Sequence, residues 1–327
     1  EQRTLRHLPR PHHRQTSLAS GEVNQELKPH SSRVFQQNRP EADFSEKVAN
    51  SQNWRSLALG GAAMAANTFA DRYQSVLVPV IFEPWARELI RRANPQAGED
   101  ILDLACGTGV VTREIARTLQ KPARLVGADH SADMLKVARG LAEDIGLEAE
   151  WFEADAADLP FESDVFDLAF CQQALQFFPD RQAALRELYR VLKPGGRLAF
   201  CVQQELEINP MLRAQAAALD AHIGQSAGDA VRAICSLPDS GDLRRLFEGT
   251  GFKDVEIESV TLYLHHPNAK AFAKGAMGGM HTGNKLVGIA EGSVDRAIEV
   301  FLQGLGDCLS DEAMIFPHSS NVVTARA

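Results

Sequence analysis

The residues best equipped for chemistry sit in one short run, DLACGTG (Asp103 to Gly109), and in a carboxylate, Asp129, twenty residues farther on. Gly107 and Gly109 let a backbone come close to a ligand, and the first N–H groups of a following helix face whatever lies against such a turn. A carboxylate ending the next strand can accept hydrogen bonds from both hydroxyls of a ribose. Together they predict a ligand built on adenosine, against the plainer alternative that the glycines only close a tight turn. Read as GxGxxG from Gly107, the last position is Thr112, so the fingerprint that packs a dinucleotide-binding helix onto its strand is incomplete, which counts against NAD.

Elements must hold these residues. From Gly98 onward, short buried runs alternate with amphipathic stretches, the rhythm of a parallel sheet flanked by helices. ILDLA (101–105) reads as a strand, and the helix after the glycine turn carries Val111, Ile115 and Leu119 on one side. LVGAD (125–129) is the second strand. Ser131 caps the next helix, which places Met134, Ala138, Leu141 and Ile145 inward. The third strand is 149–154. FDLAFC (166–171) is the fourth, apolar enough to be buried on both faces. Leu185, Leu188 and Leu192 mark a helix that KPGG (193–196) stops before a fifth strand at 197–202.

The rhythm then changes. Residues 205–238 read as helical and 239–249 as a capped helix. Val255 to Leu264 is a long strand whose inward positions move from Val255 and Ile257 to Val260, Leu262 and Leu264, which predicts a bulge near Ser259. Residues 265–312 insert two more helical patterns (269–277 and 293–309) around GGMHTGNK, and 313–325 supplies a last strand.

The 327 residues carry a formal charge of −9, and the residues after position 60 carry −12. So acidic a body has no bulk attraction for phosphate backbones or anionic lipid, which argues against nucleic acid and membrane surfaces as partners. The longest weakly polar stretch, LALGGAAMAA (57–66), is half a bilayer span, so no membrane insertion is expected. Cys106, Cys171, Cys201, Cys235 and Cys308 form an odd, dispersed set without a CxxC pair. They read as reduced thiols in a cytoplasmic setting. Neither they nor any carboxylate cluster predicts a metal site. Residues 1–55 show no sustained apolar period and read as a disordered polar arm. Four arginines in its first fourteen residues leave organellar import as a minor alternative, and the missing initiator Met suggests a processed or truncated start.

From about Phe69 to the C-terminus the chain resembles the class I S-adenosylmethionine-dependent methyltransferases, of the small-molecule type that includes quinone-biosynthesis enzymes. The matching pieces are DLACGTG, VGADHS (126–131), EADAADLPF (153–161), FDLAFCQQALQFFPD (166–180) and LYRVLKPGGRL (188–198). The departure is Ala105-Cys106, where the commonest form of the motif has glycine and then any residue. The resemblance implies an α/β fold, a Rossmann-like doubly wound seven-strand sheet in the order 3-2-1-4-5-7-6 with a helical cap. It divides the chain into the arm (1–55), an N-terminal helical lid (56–95) and the methyltransferase domain (96–327), with cap insertions at about 205–238 and 265–312.

It also implies S-adenosylmethionine as cofactor, S-adenosylhomocysteine as by-product, and methyl transfer by in-line displacement to a small apolar or aromatic acceptor. Carried over by position, Asp103 belongs to the glycine motif and the backbone from Ala105 and Cys106 to Gly107 and Gly109 lies along the methionine and ribose. Asp129, followed by His130, holds the ribose. Met134 packs on the adenine, Asp155 takes its exocyclic amine, and the Ala156 backbone meets the ring edge. Cys171 and Gln172 lie beside the methionine and the reacting methyl, and Tyr73 is the lid's contact. A general base is needed only where the accepting atom sheds a proton. His281 is the first choice, ahead of His222, His265, His266 and Tyr263. Cys106 and Cys171 lack a paired base and read as packing residues rather than nucleophiles. The rivals are an NAD(P)-linked oxidoreductase and a non-catalytic Rossmann-like binding module.

Overall fold

A computed structural model describes residues 68–119, 122–279 and 291–327, all within Met64–Ala327, one of the two units into which the chain divides. The expectations for the arm at 1–55, for the first part of the lid and for His281 lie outside the described residues.

Among the described residues, eight strands form one sheet. β1 (Asp100–Leu104), β2 (Arg124–Asp129), β3 (Glu150–Glu153), β4 (Phe166–Gln172) and β5 (Leu192–Gln203) are parallel, in the order β3-β2-β1-β4-β5. β8 (Ala313–Arg326) then runs antiparallel to β5, and β6 (Lys253–His266) antiparallel to β8. This is the expected path, with one correction: β7 (Leu309–Ser310) is an eighth strand that folds back on Met314 and Ala313 of β8. Two residues are too few to show a period in sequence.

Ahead of β1 come α1 (Phe69–Arg72), a π-helical segment (Tyr73–Phe82) and α2 (Glu83–Ala93); between the strands come α3 (Val110–Thr118), α4 (Ala132–Asp144), α5 (Arg181–Val191), α6 (Pro210–His222), α7 (Gln225–Arg232), α8 (Ser240–Phe247), α9 (Ala269–Gly279) and α10 (Glu291–Leu305). Caps set several of these starts. Thr68 and Asp71 bond reciprocally at α1, while Ser131, Asp180 and Asp239 accept backbone N–H groups at α4, α5 and α8. Pro79 lies inside the π segment and has no N–H to give. At its end the Glu83 N–H reaches back five residues to the Val78 carbonyl.

Two cores cover the two faces of the sheet. On one, Leu77 and Ile81 of the π segment, Trp85 and Leu89 of α2, Val111 and Ile115 of α3 and the cap residues Leu212, Leu219, Phe272 and Phe301 meet Phe170, Cys201 and Phe316. On the other, Leu185 and Leu188 of α5 and Leu243 and Phe247 of α8 meet Cys171, Phe200 and Val323. α10 runs against α6 closely enough that a Cβ on Gly304 would sit 3.0 Å from the Ala214 Cβ.

Three local expectations change. β6 has no bulge near Ser259; its pairing with β8 is continuous from Glu256 to His266, and the register shifts between Lys253 and Glu256, where Asp254 takes φ 50°. Its apolar phase moves because Val255 and Ile257 face the α8 side while Val260, Leu262 and Leu264 face the cap side. Each half of the strand is covered on a different face. In α4 the inward positions are Leu135, Ala138 and Ala142, leaving Ile145 exposed beyond the helix end. Finally, KPGG does not precede the fifth strand but lies within it, with Leu192 already paired to Phe166.

Candidate active site

The glycine loop follows β1 and is shaped by backbone angles that L-residues seldom adopt. Ala105, Gly107 and Gly109 have φ of 55°, 54° and 78°. Ala105 thus stands in a left-handed conformation that glycine takes at no cost, about 1–2 kcal/mol of strain held beside the site. The Asp129 carboxylate at the end of β2 fastens the loop. Its Oδ2 accepts the Gly107 N–H at 2.8 Å and its Oδ1 the Ser131 N–H at 2.9 Å. Each oxygen keeps a lone pair for a further donor.

The π segment closes over this loop. Thr108 Oγ1 donates to Gln74 Oε1 at 2.6 Å, and Arg113 bridges Gln74 and the Thr108 carbonyl. At the other end Gln172 Nε2 donates to the Phe82 carbonyl at 2.7 Å, tying the segment to the tip of β4. Tyr73 lies between Phe69 and Phe82, its ring 4.7 Å from that of Phe82. Burial first, then the charge of Asp129, pushes its phenol pKa up, so it remains a neutral donor.

Between loop, π segment and cap lies a cavity of about 890 Å³. Of the residues carried over from sequence, Tyr73, Ala105, Gly107, Asp129, His130, Met134, Asp155, Ala156 and Gln172 line it. Four others stand off its wall. Asp103 turns back on Thr112, whose N–H and hydroxyl donate to Oδ2 at 3.0 and 2.7 Å. Burial pushes the Asp103 carboxyl up to about 7. Thr112, at the third fingerprint position, therefore anchors its own helix to β1. Cys106 lies behind the loop near Trp151, and Cys171 belongs to the α5–α8 core. Burial raises both thiols, so neither is a thiolate.

Gly109 is needed for space as well as for its angle, because a Cβ there would lie 2.6 Å from the Trp151 ring and 3.3 Å from Ala138. Gly109→Ala is expected to cost about 2–3 kcal/mol, combining left-handed strain with overpacking. Urea unfolding measures it, and a loss under about 0.5 kcal/mol would show that the ring yields freely.

The far end of the cavity contains residues that sequence reading missed: Gln173, Gln176, Gln203, Leu212, Ile234 and His318. His318 is 3% exposed, and its Nδ1 accepts a 2.8 Å hydrogen bond from Trp85 Nε1. Its signal was available, since Met314, Phe316, His318, Ser320 and Val322 occupy one face of β8 and a histidine in phase with buried neighbours is unusual. The expected bases fare differently. Tyr263 is 70% exposed, and neither it nor His222, His265 nor His266 lines the cavity.

Burial lowers the His318 pKa from 6.5 to about 3. The unfolded chain takes a proton near pH 6.5 and the folded one only near 3. The ring's stabilisation is therefore complete above 6.5 and is lost as pH falls, at about 1.4 kcal/mol per unit. Asp103 acts oppositely, its contribution being complete below 3.8 and lost as pH rises through about 7. Subtracting a His318→Phe variant isolates the ring. From about pH 4 to 6 the wild type should gain on the variant by that slope in urea unfolding. Parallel stability curves would remove the claim.

The sequence profile of the ubiE/COQ5 methyltransferase family matches residues 64–266. The chain belongs to this family. Over 190 residues the methyltransferase is 32% identical to the ubiquinone/menaquinone biosynthesis C-methyltransferase UbiE of Klebsiella pneumoniae, covering 54% of this chain and 75% of that one. The same identity and coverage hold over 189 residues with the UbiE of Escherichia fergusonii. Among solved structures, the YcgJ protein of Bacillus subtilis shares the fold with a TM-score of 0.50 at 18% identity, covering 74% of this chain and 97% of that one.

The methyltransferase uses S-adenosylmethionine, and its residues fit that cofactor. A Cβ on Gly107 would enter the gap between the loop and the π segment, 3.9 Å from the Tyr73 ring and hydroxyl, so glycine keeps that gap open. Beside it, Gln172 Oε1 is buried with no partner among the described residues while its Nε2 is committed to Phe82. An acceptor is thus left for a donor-bearing ligand. The third fingerprint glycine, absent at Thr112, is not required here, and the family settles the choice against an oxidoreductase.

Proposed function

We propose that the methyltransferase holds the adenosine of its donor among Met134, Asp129, Asp155 and Ala156 and the methionine along the Ala105 to Gly107 backbone. It would then deliver the methyl to a small acceptor with an apolar or aromatic body. S-adenosylmethionine, when bound, supplies a methyl already activated on a positively charged sulfur. What the chain must add is alignment. Holding two reactants in line at near-attack distance can lower a barrier by about 7 kcal/mol or more.

The observation that carries this reading is the continuity of the cavity. Asp129, Asp155 and Gln172 line the same cavity as Leu77, Ile81, Leu212 and Ile234, so polar groups suited to a nucleoside and apolar groups suited to an acceptor share one space. Gln172, with its amide fixed on Phe82, lines this space, and the packed Tyr73 and Phe82 rings would cover the donor there. The relatives' description as C-methyltransferases of ubiquinone and menaquinone biosynthesis favours ring carbon as the methylated atom. His318 does not serve as a base in this reading, because it is held neutral with Nδ1 already engaged.

The test is to incubate the protein with methyl-labelled S-adenosylmethionine and a panel of unmethylated benzoquinols and naphthoquinols. Label in the ring product together with stoichiometric S-adenosylhomocysteine supports the reading. Saturable cofactor binding with no transfer to any ring acceptor would restrict it to the cofactor, and absence of cofactor binding would overturn it.

A further inference from the structure

Beyond residue 266, where the family profile ends, β8 brings to the cavity wall a histidine for which methyl transfer as described has no use. We propose that His318, set by Trp85 and paired with Gln203, binds a hydroxyl group on the acceptor. This rests on the reading of the apolar end as the acceptor site.

The two side chains are fixed from behind. The Trp85 indole has only an N–H to give, so His318 Nδ1 must accept, and the neutral ring carries its proton on Nε2. Trp85 is fully buried in the core and His318 forms the wall, which leaves Nε2 for the cavity; it has no partner among the described residues. Gln203 is oriented as firmly. Its Nε2 donates to Asn209 Oδ1 at 2.7 Å and to the Ser319 carbonyl at 2.8 Å. Asn209 Oδ1 in turn accepts the Ser319 N–H at 2.8 Å, so the Gln203 amide has one orientation and its Oε1 is unpartnered among the described residues.

Gln203 is in register with Ser320, and His318 lies two residues along β8 on the same face, so the two are diagonal neighbours on one wall. A fixed donor beside a fixed acceptor matches a group that both accepts and donates, which is a hydroxyl. The surrounding Leu212 and Ile234 ask for an apolar body to carry it. His318 binds and orients in this scheme and takes no proton, since its one lone pair is spent on Trp85. Trp85 is a positioning residue acting through His318.

The test uses the full chain and two probes of the same ring body, 2-naphthol and naphthalene, titrated by calorimetry without turnover. Wild type should bind 2-naphthol about ten-fold more tightly, the scale of one neutral hydrogen-bonded group. His318→Phe should bring the ratio to within about two-fold, and His318→Gln, whose amide N–H stands near Nε2, should restore it. Trp85→Phe, which frees the tautomer, should give an intermediate ratio. A merely structural role for either residue would shift both probes together. Equal binding of the probes by wild type, or an undiminished ratio in His318→Phe with the fold retained by circular dichroism, would overturn the proposal. S-adenosylhomocysteine affinity is measured separately and should match wild type in His318→Phe. Its loss in wild type would strike the proposed function, while the naphthol ratio would still decide this one.

Discussion

Asp129→Ala is expected to weaken S-adenosylmethionine binding by about 10- to 100-fold in calorimetric titration, the consequence of removing hydrogen bonds to a charged group worth about 1.5–3 kcal/mol. The carboxylate has two tasks that the substitution removes together. It presents two anionic oxygens at the end of β2 to the cavity, and it holds the Gly107 and Ser131 N–H groups that fix the loop and the start of α4. Asp129→Asn separates them, because an amide keeps one acceptor oxygen but turns an NH₂ toward one of those N–H donors. An intermediate loss is therefore expected for Asn. Wild-type affinity in the Ala variant would remove Asp129 from the cofactor site.

Trp85→Ala is expected to destabilise the fold by about 3–5 kcal/mol in urea unfolding, the range for deleting a large buried aromatic side chain. Trp85 is fully buried where α2 meets the sheet and contacts the His318 ring at a centroid distance of 5.9 Å. Its loss leaves both a void and a buried His318 Nδ1 without a donor. Trp85→Phe retains most of the volume and should cost markedly less, which separates packing from hydrogen bonding. A loss below about 1 kcal/mol for Ala would mean that the π segment and α2 close the gap.

The sequence made legible the parts whose signal is local. Alternation of short apolar runs with amphipathic helices gave β1 to β5 and the helices between them, and the spacing from Gly109 to Asp129 brought loop and carboxylate together, as their hydrogen bond shows. What escaped depends on contacts between distant segments. Asp103 looked like part of the site because its motif is, but whether its carboxylate faces the cavity or Thr112 is decided by a side-chain torsion that no spacing encodes. The setting of His318 is not legible in sequence because it requires Trp85, 233 positions away, to stand behind it. β6 misled through an assumption that one face of a strand is buried along its whole length, whereas α8 and the cap each cover a different half.

β8 lies between β5 and β6, which have no pairing with each other, yet it is the last element in the described chain. During vectorial synthesis the sheet therefore leaves the ribosome unzipped, with two open edges waiting for residues 313–326. Those same residues bring His318 to the cavity wall, so the seam of the sheet and this stretch of the pocket are completed in one late event of high contact order. A nascent chain arrested before that point carries the loop and Asp129 and still lacks the His318 side of the cavity.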